Sequence, residues 1–332
     1  MIHGLSAGAG SVSHHLVAYG GRDDHLFVGA IPESPFWPTQ RTVPEMEFQF
    51  DRFVDETGCS GQPDSLSCLR SRDVATLQAA NQLRPFPGTS GLPLWYFLPV
   101  IDGDFIPDLM YRLFAQGRFV HVPLLVGDDT NEGSMFANNA SSSAEFLAFM
   151  KDNYPGLTDA QLQQINQTYP LMAPLPEHAA WFPSSSAAYG EATFTCPGNQ
   201  LAESLSDVLP QSTWNYLFNM DDPTLEAEGM GTEHTEETPA IFGPGNTGST
   251  TAASFYTTNA PIVPVVMDYV LSFVKTLNPN TFRAPDAPVW ETFGKGRRLM
   301  IKTNATMMES RPEDQVQKCD MWSGFDSTME LR

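Results

Sequence analysis

The start of the chain combines a strand, a tight turn and a helix. The segment MIH is typical of a β-strand, and it leads directly into GLSAG (residues 4–8), which has the pattern G-x-S-x-G. Two glycines in this pattern permit a sharp turn that holds the serine, here Ser6, in a strained and exposed conformation. The residues that follow, AGAGSVSHHLVAYGG, are small and then amphipathic, as in a helix packed tightly beneath a sheet. The order predicts an α/β fold with Ser6 as a candidate nucleophile, although the pentapeptide alone also fits a plain glycine-rich turn.

Short β-rich segments alternate with helical patterns along the rest of the chain, which again predicts an α/β architecture. The predicted strands cover 26–31, 122–127, 213–219 and 298–303, and the predicted helices cover 44–57, 73–82, 107–116, 143–153, 158–169, 187–208 and 261–277. The segment VPLLVG is continuously apolar and is typical of a buried parallel strand. Loops rich in Pro, Gly, Ser and Thr are predicted at 170–186 and 243–260. No domain boundary is evident.

The chain is strongly acidic, with 18 Lys and Arg residues against 39 Asp and Glu residues and a formal net charge of −21. A surface of this sign repels phosphate backbones and anionic lipids, so neither nucleic acid nor a membrane surface is an expected partner. The most apolar stretch, 261–277, is interrupted by Pro264, Asp268 and Lys275 and falls short of a bilayer span. The sequence predicts no signal peptide and no transmembrane segment within the chain, and it leaves the oligomeric state open.

Four cysteines and three sequons favour an oxidising, secretory history. Cys59 and Cys68 lie close together in a loop that could close on itself, whereas Cys196 and Cys319 are far apart in sequence. This spacing does not match a metal site. The candidate glycosylation sites are Asn139, Asn166 and Asn304, although so short a pattern also arises by chance.

Two residues stand in the order and context expected for partners of a nucleophilic serine. In hydrolases built on a parallel sheet, an acid and then a histidine follow the serine along the chain. Glu132 lies in GDDTNEGSMF, directly after the VPLLVG strand, and His234 lies in GMGTEHTEETPAIFG, a long loop after the TWNYLFN strand. Such a loop can bring an imidazole over Ser6 while Glu132 fixes its tautomer.

With these residues in place, the chain resembles the type-B carboxylesterases, the family of fungal secreted lipases, animal carboxylesterases and cholinesterases. The matching stretches run from residue 1 to beyond residue 320, in the family's order: IHGLSAGAGSVSHHL, FVGAIPESPFWP, GCSGQPDSLSCLRS, FLPVIDGDFIPD, PLLVGDDTNEGSMF, HTEETPAIFG and KCDMW. The segments SAGAGSVSHHL and ESPFWPTQR are most similar to the fungal secreted members. The resemblance implies an α/β-hydrolase fold, a mostly parallel sheet with helices on both faces. It also implies that residues 1–332 are the C-terminal portion of one such domain, truncated at the N-terminus.

The resemblance implies a role for each of five residues. Ser6 would be the nucleophile, Glu132 the acid and His234 the general base of a triad that hydrolyses esters through an acyl-enzyme. The backbone N–H of Ala7 would be one oxyanion donor, and Trp37 would form a wall of the acyl pocket. No metal and no cofactor are implied, and the substrate would be a small-molecule or lipid ester.

Two disulfides and a secreted location are also implied by the resemblance. The disulfides would be Cys59–Cys68 and Cys196–Cys319. The full-length protein would be an extracellular glycoprotein.

Two departures from the family pattern stand out. The resemblance leads us to expect that the Gly-Gly loop, which supplies the other oxyanion N–H groups in the family, is missing, and losing one such donor costs about 3 kcal/mol of transition-state stabilisation. The missing part also carries central strands, so the remaining sheet would have an uncovered edge. Finally, Leu5 stands where the family usually has Glu, which changes the buried polar surroundings of Ser6.

The remaining residues comprise two alternative acids and several residues for which structural roles are expected. Asp128 and Asp129 are alternatives to Glu132 as the acid. Trp95 and Tyr96 are expected to serve in packing. The acidic residues near His234 are expected on a solvated loop surface, and they are Glu226, Glu228, Glu233, Glu236 and Glu237. Surface or helix-packing positions are expected for His3, His14, His15, His25, His121 and His178.

The predicted function is that of a carboxylesterase or lipase with a Ser-Glu-His triad. One alternative is a non-catalytic binding member of the same family, which usually lacks a triad residue. The other is an inactive, truncated fragment that does not fold alone.

Overall fold

A six-stranded β-sheet forms the centre of the protein, which the computed structural model describes over residues 1–247 and 253–329. The strands are β1 (Ile2–Leu5), β2 (Ala30–Glu33), β3 (Arg41–Thr42), β4 (Val100–Ile101), β5 (Leu124–Asp129), β6 (Thr213–Phe218), β7 (Arg297–Ile301) and β8 (Met307–Ser310). The sheet order is β1-β2-β5-β6-β7-β8, and its neighbouring strands are parallel except for the antiparallel pair β7 and β8. A separate pair joins β3 to β4.

Helices cover both faces of this sheet. They are α1 (Ala7–Val17), α2 (Val43–Glu56), α3 (Ser65–Ser71), α4 (Val74–Ala80), α5 (Met110–Ala115), α6 (Ser143–Asn153), α7 (Asp159–Thr168), α8 (Phe182–Gly190), α9 (Cys196–Val208), α10 (Pro223–Ala227), α11 (Thr238–Phe242), α12 (Ile262–Thr276), α13 (Glu313–Gly324) and α14 (Asp326–Met329). Helices α1, α5 and α9 contribute to the core on one face, and α11 and α12 contribute to the core on the other. Among the helices that the structure describes, none is long and apolar enough to cross a membrane.

The central strand β5 explains why the sheet is buried on both faces. All six of its residues, LLVGDD, are buried, as the apolar run in the sequence predicts. Leu124 and Val126 contribute to the core beneath α1 and α9, whereas Leu125 points to the core beneath α12. The strand then ends in Asp128 and Asp129, so its carboxyl end delivers acidic groups to one edge of the sheet.

Strand β2 begins later than the sequence predicts. The prediction placed a strand at 26–31, but Leu26 and Val28 are 83% and 62% exposed. Pairing starts only at Ala30, which lies between Ile2 of β1 and Leu124 of β5. On its other side β1 has no partner strand among the described residues, so the GLSAG turn lies at an edge of the sheet.

The predicted loop at 170–186 is partly wrong, because α8 already begins at Phe182. Pro183 stands in its first turn, where a missing N–H leaves no hydrogen bond unmade. The other predicted loop, 243–260, contains a 3₁₀ turn at Ser254–Tyr256, and residues 248–252 lie outside the described part of the chain.

Helices α8 and α9 are joined by a π-helical turn, Glu191–Thr195. Pro197, near the start of α9, has no N–H and cannot donate to the carbonyl of Thr193 four residues before it. The N–H of Trp37 donates to this carbonyl instead, at 2.9 Å. The π-helical turn therefore binds the long helix to the segment that follows β2.

Both implied disulfides are present. Cys59, just after α2, is bonded to Cys68 in α3, and Cys196 at the start of α9 is bonded to Cys319 in α13. The second bond anchors α13 to a helix that packs directly on the sheet.

Candidate active site

Ser6 lies in the turn between β1 and α1, with backbone angles of φ 59° and ψ −121°. These angles are unfavourable for an L-residue and mark a strained position. Gly4 is required by the turn, because a Cβ there would lie 2.3 Å from the carbonyl oxygen of Gly8. A Cβ on Gly8 itself would meet no described atom within 4 Å. Backbone hydrogen bonds fix the turn, since Ser6 donates to the Glu33 carbonyl at 2.9 Å and accepts from the Phe36 N–H at 3.3 Å.

Glu132 lies in the loop after β5, 2% exposed, and its two carboxylate oxygens accept three hydrogen bonds. Oε1 accepts from the Ser34 hydroxyl at 2.6 Å and from the Asp129 N–H at 2.7 Å. Oε2 lies 2.5 Å from Nδ1 of His234. Three hydrogen bonds therefore fix the Glu132 side chain in a buried position.

His234 is 2% exposed and is fixed by Glu132 on one ring nitrogen only. Its Nε2 is buried and has no hydrogen-bond partner among the described residues. Burial lowers the pKa of the His234 ring, but the charge of Glu132 and the hydrogen bond to it outweigh burial and leave the pKa above its usual value. The ring packs against Phe194 and Phe136, at centroid distances of 4.4 and 5.1 Å.

Ser6 reaches this pair through the residues at the end of β2. Glu33 accepts the hydrogen bond from Ser6, and the next residue, Ser34, donates to Glu132. The structure therefore brings Glu132 and His234 into direct contact and places Ser6 on the adjoining turn. Because Nε2 of His234 has no partner within residues 1–247 and 253–329, the Ser6 hydroxyl is not hydrogen-bonded to it.

The expectation of a solvated acidic loop near His234 is wrong for three residues. Glu226 and Glu228 are exposed, but Glu233, Glu236 and Glu237 are 7%, 1% and 0% exposed. The reason is that the loop folds back against the carboxyl end of the sheet, where Asn131 and Glu233 form a single parallel β-bridge.

Burial changes the protonation of these acids. Burial, with the nearby charges of Asp222 and Glu233, raises the pKa of Glu236 to about 9. Burial also raises the pKa of Glu237 to about 7, although a hydrogen bond with Asp129 opposes the shift. Both oxygens of Glu236 lack a partner in the described structure, as expected of a carboxyl group kept neutral.

Asp128 and Asp129, the alternative acids, are buried beside this cluster. Burial raises both pKa values well above the usual range, and the charge of Glu132 adds to the shift at Asp128. Oδ2 of Asp129 accepts a hydrogen bond from the Thr235 N–H at 2.8 Å. Glu132, rather than either aspartate, is the acid that binds the His234 ring.

Three ligand-type groups in the site are close enough to hold a metal ion. They belong to Asp129, Glu132 and His234, and their donor atoms lie within 4.8 Å of one another. The Nδ1–Oε2 distance of 2.5 Å is that of a hydrogen bond, however, and it is shorter than the separation of two ligands about 2 Å from one zinc ion in a tetrahedral site. The arrangement therefore fits a histidine–carboxylate pair.

Aromatic side chains form a cluster beside His234. Phe36 and Phe136 both contact Phe194, at 5.7 and 5.5 Å, and Trp95 contacts Phe36 and Phe136 at 5.8 and 6.1 Å. Trp95 is 43% exposed, so one side of the cluster faces solvent. The sequence predicted only a packing role for Trp95, and no periodic pattern in its Pro- and Gly-rich loop could have indicated this position.

Trp37, predicted as a pocket wall, lies in the core. It is 1% exposed, and its ring packs against Tyr111 and Phe114 at 5.0 and 5.4 Å. The neighbouring residue, Phe36, is the one whose ring faces the aromatic cluster. Ala7, the predicted oxyanion donor, is exposed at the first position of α1, where a backbone N–H has no intrahelical acceptor.

The histidines outside the loop of His234 have separate environments. His14 lies on α1 and contacts the Gly10 carbonyl and Gln40, which is the helix-packing role expected of it. His178 stacks on Phe182. His3 differs from the expectation, because Nε2 of its ring lies 2.5 Å from Oε1 of the buried Glu33.

The three sequon asparagines have different surroundings. Asn304 is exposed in the turn between β7 and β8, and Asn139 is exposed but accepts a hydrogen bond from the Ala179 N–H at 2.7 Å. Asn166 lies on α7, with its Oδ1 atom buried and unpartnered within the described residues.

Comparisons with known proteins agree with one another. The profile of the Carboxylesterase family matches residues 1–322. Secreted lipase 1 of Botryotinia fuckeliana is 30% identical over 322 residues, which are 90% of this chain and 53% of that protein. Lipase 1 of Geotrichum candidum is 30% identical over 246 residues, which are 65% of this chain and 42% of that protein. The chain thus spans about half the length of the curated relatives it matches.

A solved structure is also closely similar. The crystal structure of Aspergillus niger EstA superposes with a TM-score of 0.97 at 58% sequence identity, and the match covers 99% of this chain and 64% of that one. Together with the mostly parallel sheet and its two helical layers, this likeness confirms the predicted α/β-hydrolase fold.

Proposed function

The chain belongs to the carboxylesterase family, and we propose that it carries the catalytic triad of a serine hydrolase that cleaves carboxylic esters. The observation that carries the proposal is the buried pair of Glu132 and His234, which leaves Nε2 of the ring without a partner in the described structure. A histidine fixed on one nitrogen offers the other as a base. The strained turn of Ser6, linked to the same pair through Ser34, supports this residue as the nucleophile.

In the proposed reaction, the Ser6 oxygen attacks the ester carbonyl carbon while Nε2 of His234 accepts the hydroxyl proton. The resulting imidazolium lies 2.5 Å from the Glu132 carboxylate, which stabilises it. His234 then gives the proton to the departing alkoxide, which leaves as an alcohol, and the acyl group remains on Ser6. A water molecule attacks the acyl-enzyme by the same route, with His234 accepting its proton and returning it to Ser6 as the carboxylic acid is released.

Negative charge develops on the carbonyl oxygen during both steps. The N–H of Ala7, unpaired by its position at the first residue of α1, is the proposed donor to this oxyanion. Additional donors would strengthen the stabilisation, and each is worth about 3 kcal/mol in comparable sites.

The aromatic cluster beside His234 supports an apolar acyl group in the substrate. Phe136 and Phe194 contact the ring of the proposed base, and Phe36 and Trp95 extend this apolar cluster as far as the half-exposed ring of Trp95. We therefore propose a small-molecule or lipid ester as the substrate class. The two disulfides, and the matched fungal relative that is named a secreted lipase, support an extracellular location for the complete protein.

The experiment that tests this function is intact-mass labelling of the chain with a fluorophosphonate, which reacts only with an activated serine. We expect one adduct on the wild-type chain, none on Ser6→Ala, and slow labelling of His234→Ala. Ser11→Ala is the matched control and should label normally. Ser11 lies on α1, the helix that follows the Ser6 turn, and its hydroxyl donates to the Ala7 carbonyl. Labelling should accelerate as pH rises through the raised pKa of His234, since only the neutral ring is a base.

An adduct of equal yield on Ser6→Ala would contradict the assignment. Absence of an adduct on the wild-type chain would favour the two alternatives, which thermal melting separates. A cooperative melt would then indicate a non-catalytic binding member, and its absence would indicate a fragment that does not fold alone.

A further inference from the structure

A second histidine–carboxylate pair lies beside the Ser6 turn. His3 in β1 and Glu33 in β2 meet with Nε2 and Oε1 2.5 Å apart. The Glu33 side chain is 1% exposed, whereas 26% of the His3 side chain reaches solvent. The His3 ring also stacks on Phe242 of α11, at a centroid distance of 5.5 Å. The steps proposed above leave this pair unused.

Glu33 is placed to control the geometry of the turn. The parallel register sets it opposite Leu5, the residue before Ser6. Its backbone carbonyl accepts the Ser6 N–H at 2.9 Å, while its side chain binds His3 on the strand that leads into the turn. Glu33 therefore holds β1 at two points, one on each side of Leu5, where the two strands end.

Glu33 also adjoins the acids behind the proposed triad. Its Oε2 atom and that of Glu237 are buried without partners among the described residues, and both side chains line a small cavity with Tyr216. The Ser34 hydroxyl lies 2.6 Å from Glu132 and 3.5 Å from Glu237. A change of charge at Glu33 therefore changes the electrostatic potential at Glu132, with the carboxyl group of Glu237 lying between them.

The titratable groups that face the pair come from three elements. Glu237 comes from the start of α11, Asp129 from the end of β5 and contacts Glu237, and the phenol of Tyr216 comes from β6. Burial lowers the pKa of His3, but the hydrogen bond and charge of Glu33 outweigh burial and raise it. Burial raises the pKa of Glu33, and His3 opposes this shift. When its ring is protonated, His3 is the positive group beside the buried Glu33 side chain.

We propose that His3 is a positioning residue, which clamps the Ser6 turn through Glu33 and keeps a compensated charge behind Glu132. The inference rests on the proposed function, because the geometry that it maintains is that of the nucleophile. His3 touches no reacting atom. Its action is pH-dependent, because the His3 ring attracts the Glu33 carboxylate most strongly when the ring is protonated.

The test compares His3→Gln, Glu33→Gln and the double variant with the wild-type chain, by fluorophosphonate labelling rate and by melting temperature from pH 5 to 9. The matched control is His25→Gln, which removes an exposed histidine that pairs with Asp23 at 3.2 Å. We expect His3→Gln to label about tenfold more slowly at pH 6, as for loss of one charged hydrogen bond, and the ratio to shrink as His3 loses its proton at higher pH. The double variant should be no slower than the slower single variant, because both remove one interaction.

The sign for stability follows from the raised pKa of His3. Its contribution to stability is complete below the unfolded value of 6.5 and is lost as pH rises through the folded value. The melting temperature of His3→Gln should therefore fall below that of the wild type most clearly at pH 6 and least at pH 9. His25→Gln should match the wild type throughout.

Two results would overturn the inference. One is a His3→Gln labelling rate equal to that of the wild type at pH 6, and the other is a melting-temperature difference that does not change with pH. If the wild-type chain itself fails to label, the proposed function fails. The pH dependence of the melting temperature then still decides whether His3 clamps the strands. Should His3→Gln not fold, NMR titration of the wild-type His3 ring decides the matter, since a pKa at or below 6.5 contradicts the pair.

Discussion

Asn131 and Thr232 bind each other through two hydrogen bonds, from the Asn131 N–H to the Thr232 carbonyl at 2.9 Å and from the Thr232 N–H to Oδ1 of Asn131 at 3.0 Å. Asn131 immediately precedes Glu132, and Thr232 stands two residues before His234. The contact therefore sets the spacing of the two loops that carry the proposed acid and base.

The Asn131 side chain should matter more for labelling than for stability. Asn131→Ala removes one partly buried hydrogen bond, for a loss of about 1 kcal/mol in the free energy of unfolding. Labelling of Ser6 should slow about tenfold or more, because small displacements of catalytic groups have large effects on rate. The control is Asn246→Ala, whose exposed side chain donates to the Phe242 carbonyl at 2.8 Å. Equal labelling rates for the two variants would contradict the proposed role of the contact.

The two glycines of the turn should respond differently to the same substitution. Gly4→Ala places a methyl group 2.3 Å from the Gly8 carbonyl oxygen, so the turn must shift and Ser6 labelling should be lost. Gly8→Ala meets no described atom within 4 Å and should label at a rate close to that of the wild type. A comparison of the two adduct yields, with circular dichroism as a check of folding, decides the point. Normal labelling of Gly4→Ala would show that the turn is not required in its present form.

The buried acids should make the protein more stable in mildly acidic solution. Glu236 and Glu237 have folded pKa values of about 9 and about 7, against 4.5 when unfolded. A group with a raised pKa contributes stability that is complete below 4.5 and is lost as pH rises through the folded value. The slope is about 1.4 kcal/mol per pH unit for each group within its range, so the free energy of unfolding should decrease from pH 5 to pH 8.

Urea titrations across this range measure that slope. Glu236→Gln keeps the shape of the side chain and removes its ionisation, so the variant should lose part of the slope and gain stability at pH 8. Glu226→Gln, at an exposed position nearby, should keep the wild-type profile. A wild-type chain that becomes more stable towards pH 8 would show that these acids are ionised in the folded state.

The two disulfides should differ in their contribution to stability. Cys196–Cys319 spans 123 residues and Cys59–Cys68 spans 9, so the longer loop restricts the unfolded chain more. The chain-entropy relation gives about 5 kcal/mol for the first and about 2.5 kcal/mol for the second. Paired Cys→Ala variants, compared by chemical denaturation, should show this order. Equal losses would indicate that effects in the folded state dominate.

Asn304 is the sequon best placed to carry a glycan. It is exposed, and it borders a surface groove of about 370 Å³ whose lining includes Pro261, Pro285 and Pro288. When the chain is expressed behind a secretory leader, Asn304→Gln should remove one glycan mass that a glycosidase also removes. Asn166→Gln should leave the mass of the glycans unchanged, because Asn166 lies within α7 and its Oδ1 atom is buried. An unchanged glycan mass in Asn304→Gln would contradict the prediction.

The sequence predicts the central features of the fold for identifiable reasons. β5 is apolar throughout because both of its faces are covered, and this pattern is visible without a structure. The turn at Ser6 could also be predicted, because glycines flank the serine between a strand pattern and a helix pattern. Spacing already suggested that the loop of Cys59 and Cys68 could close on itself, whereas the Cys196–Cys319 pairing was available only through the resemblance to a family.

Other features could not be predicted because they depend on contacts between distant segments. Glu236 and Glu237 are charged residues in a polar loop, and only the folding of that loop onto the end of the sheet buries them. Phe36 and Trp37 are adjacent aromatics, and which of them joins the aromatic cluster beside His234 depends on the exact path of the chain after β2. In the same way, exposure of Leu26 follows from where β2 meets β5, which its own sequence does not specify.

The long sequence separation of the site residues has a consequence for biosynthesis. Ser34 and Glu132 are 98 residues apart and Glu132 and His234 are 102 residues apart, yet all three must meet before the site exists. At about 5–20 residues per second, the ribosome needs on the order of 10–40 seconds to add the intervening chain. Under the proposed mechanism, a nascent chain that already displays Ser6 is therefore unreactive, and nucleophilic reactivity arises only after the histidine loop has left the exit tunnel.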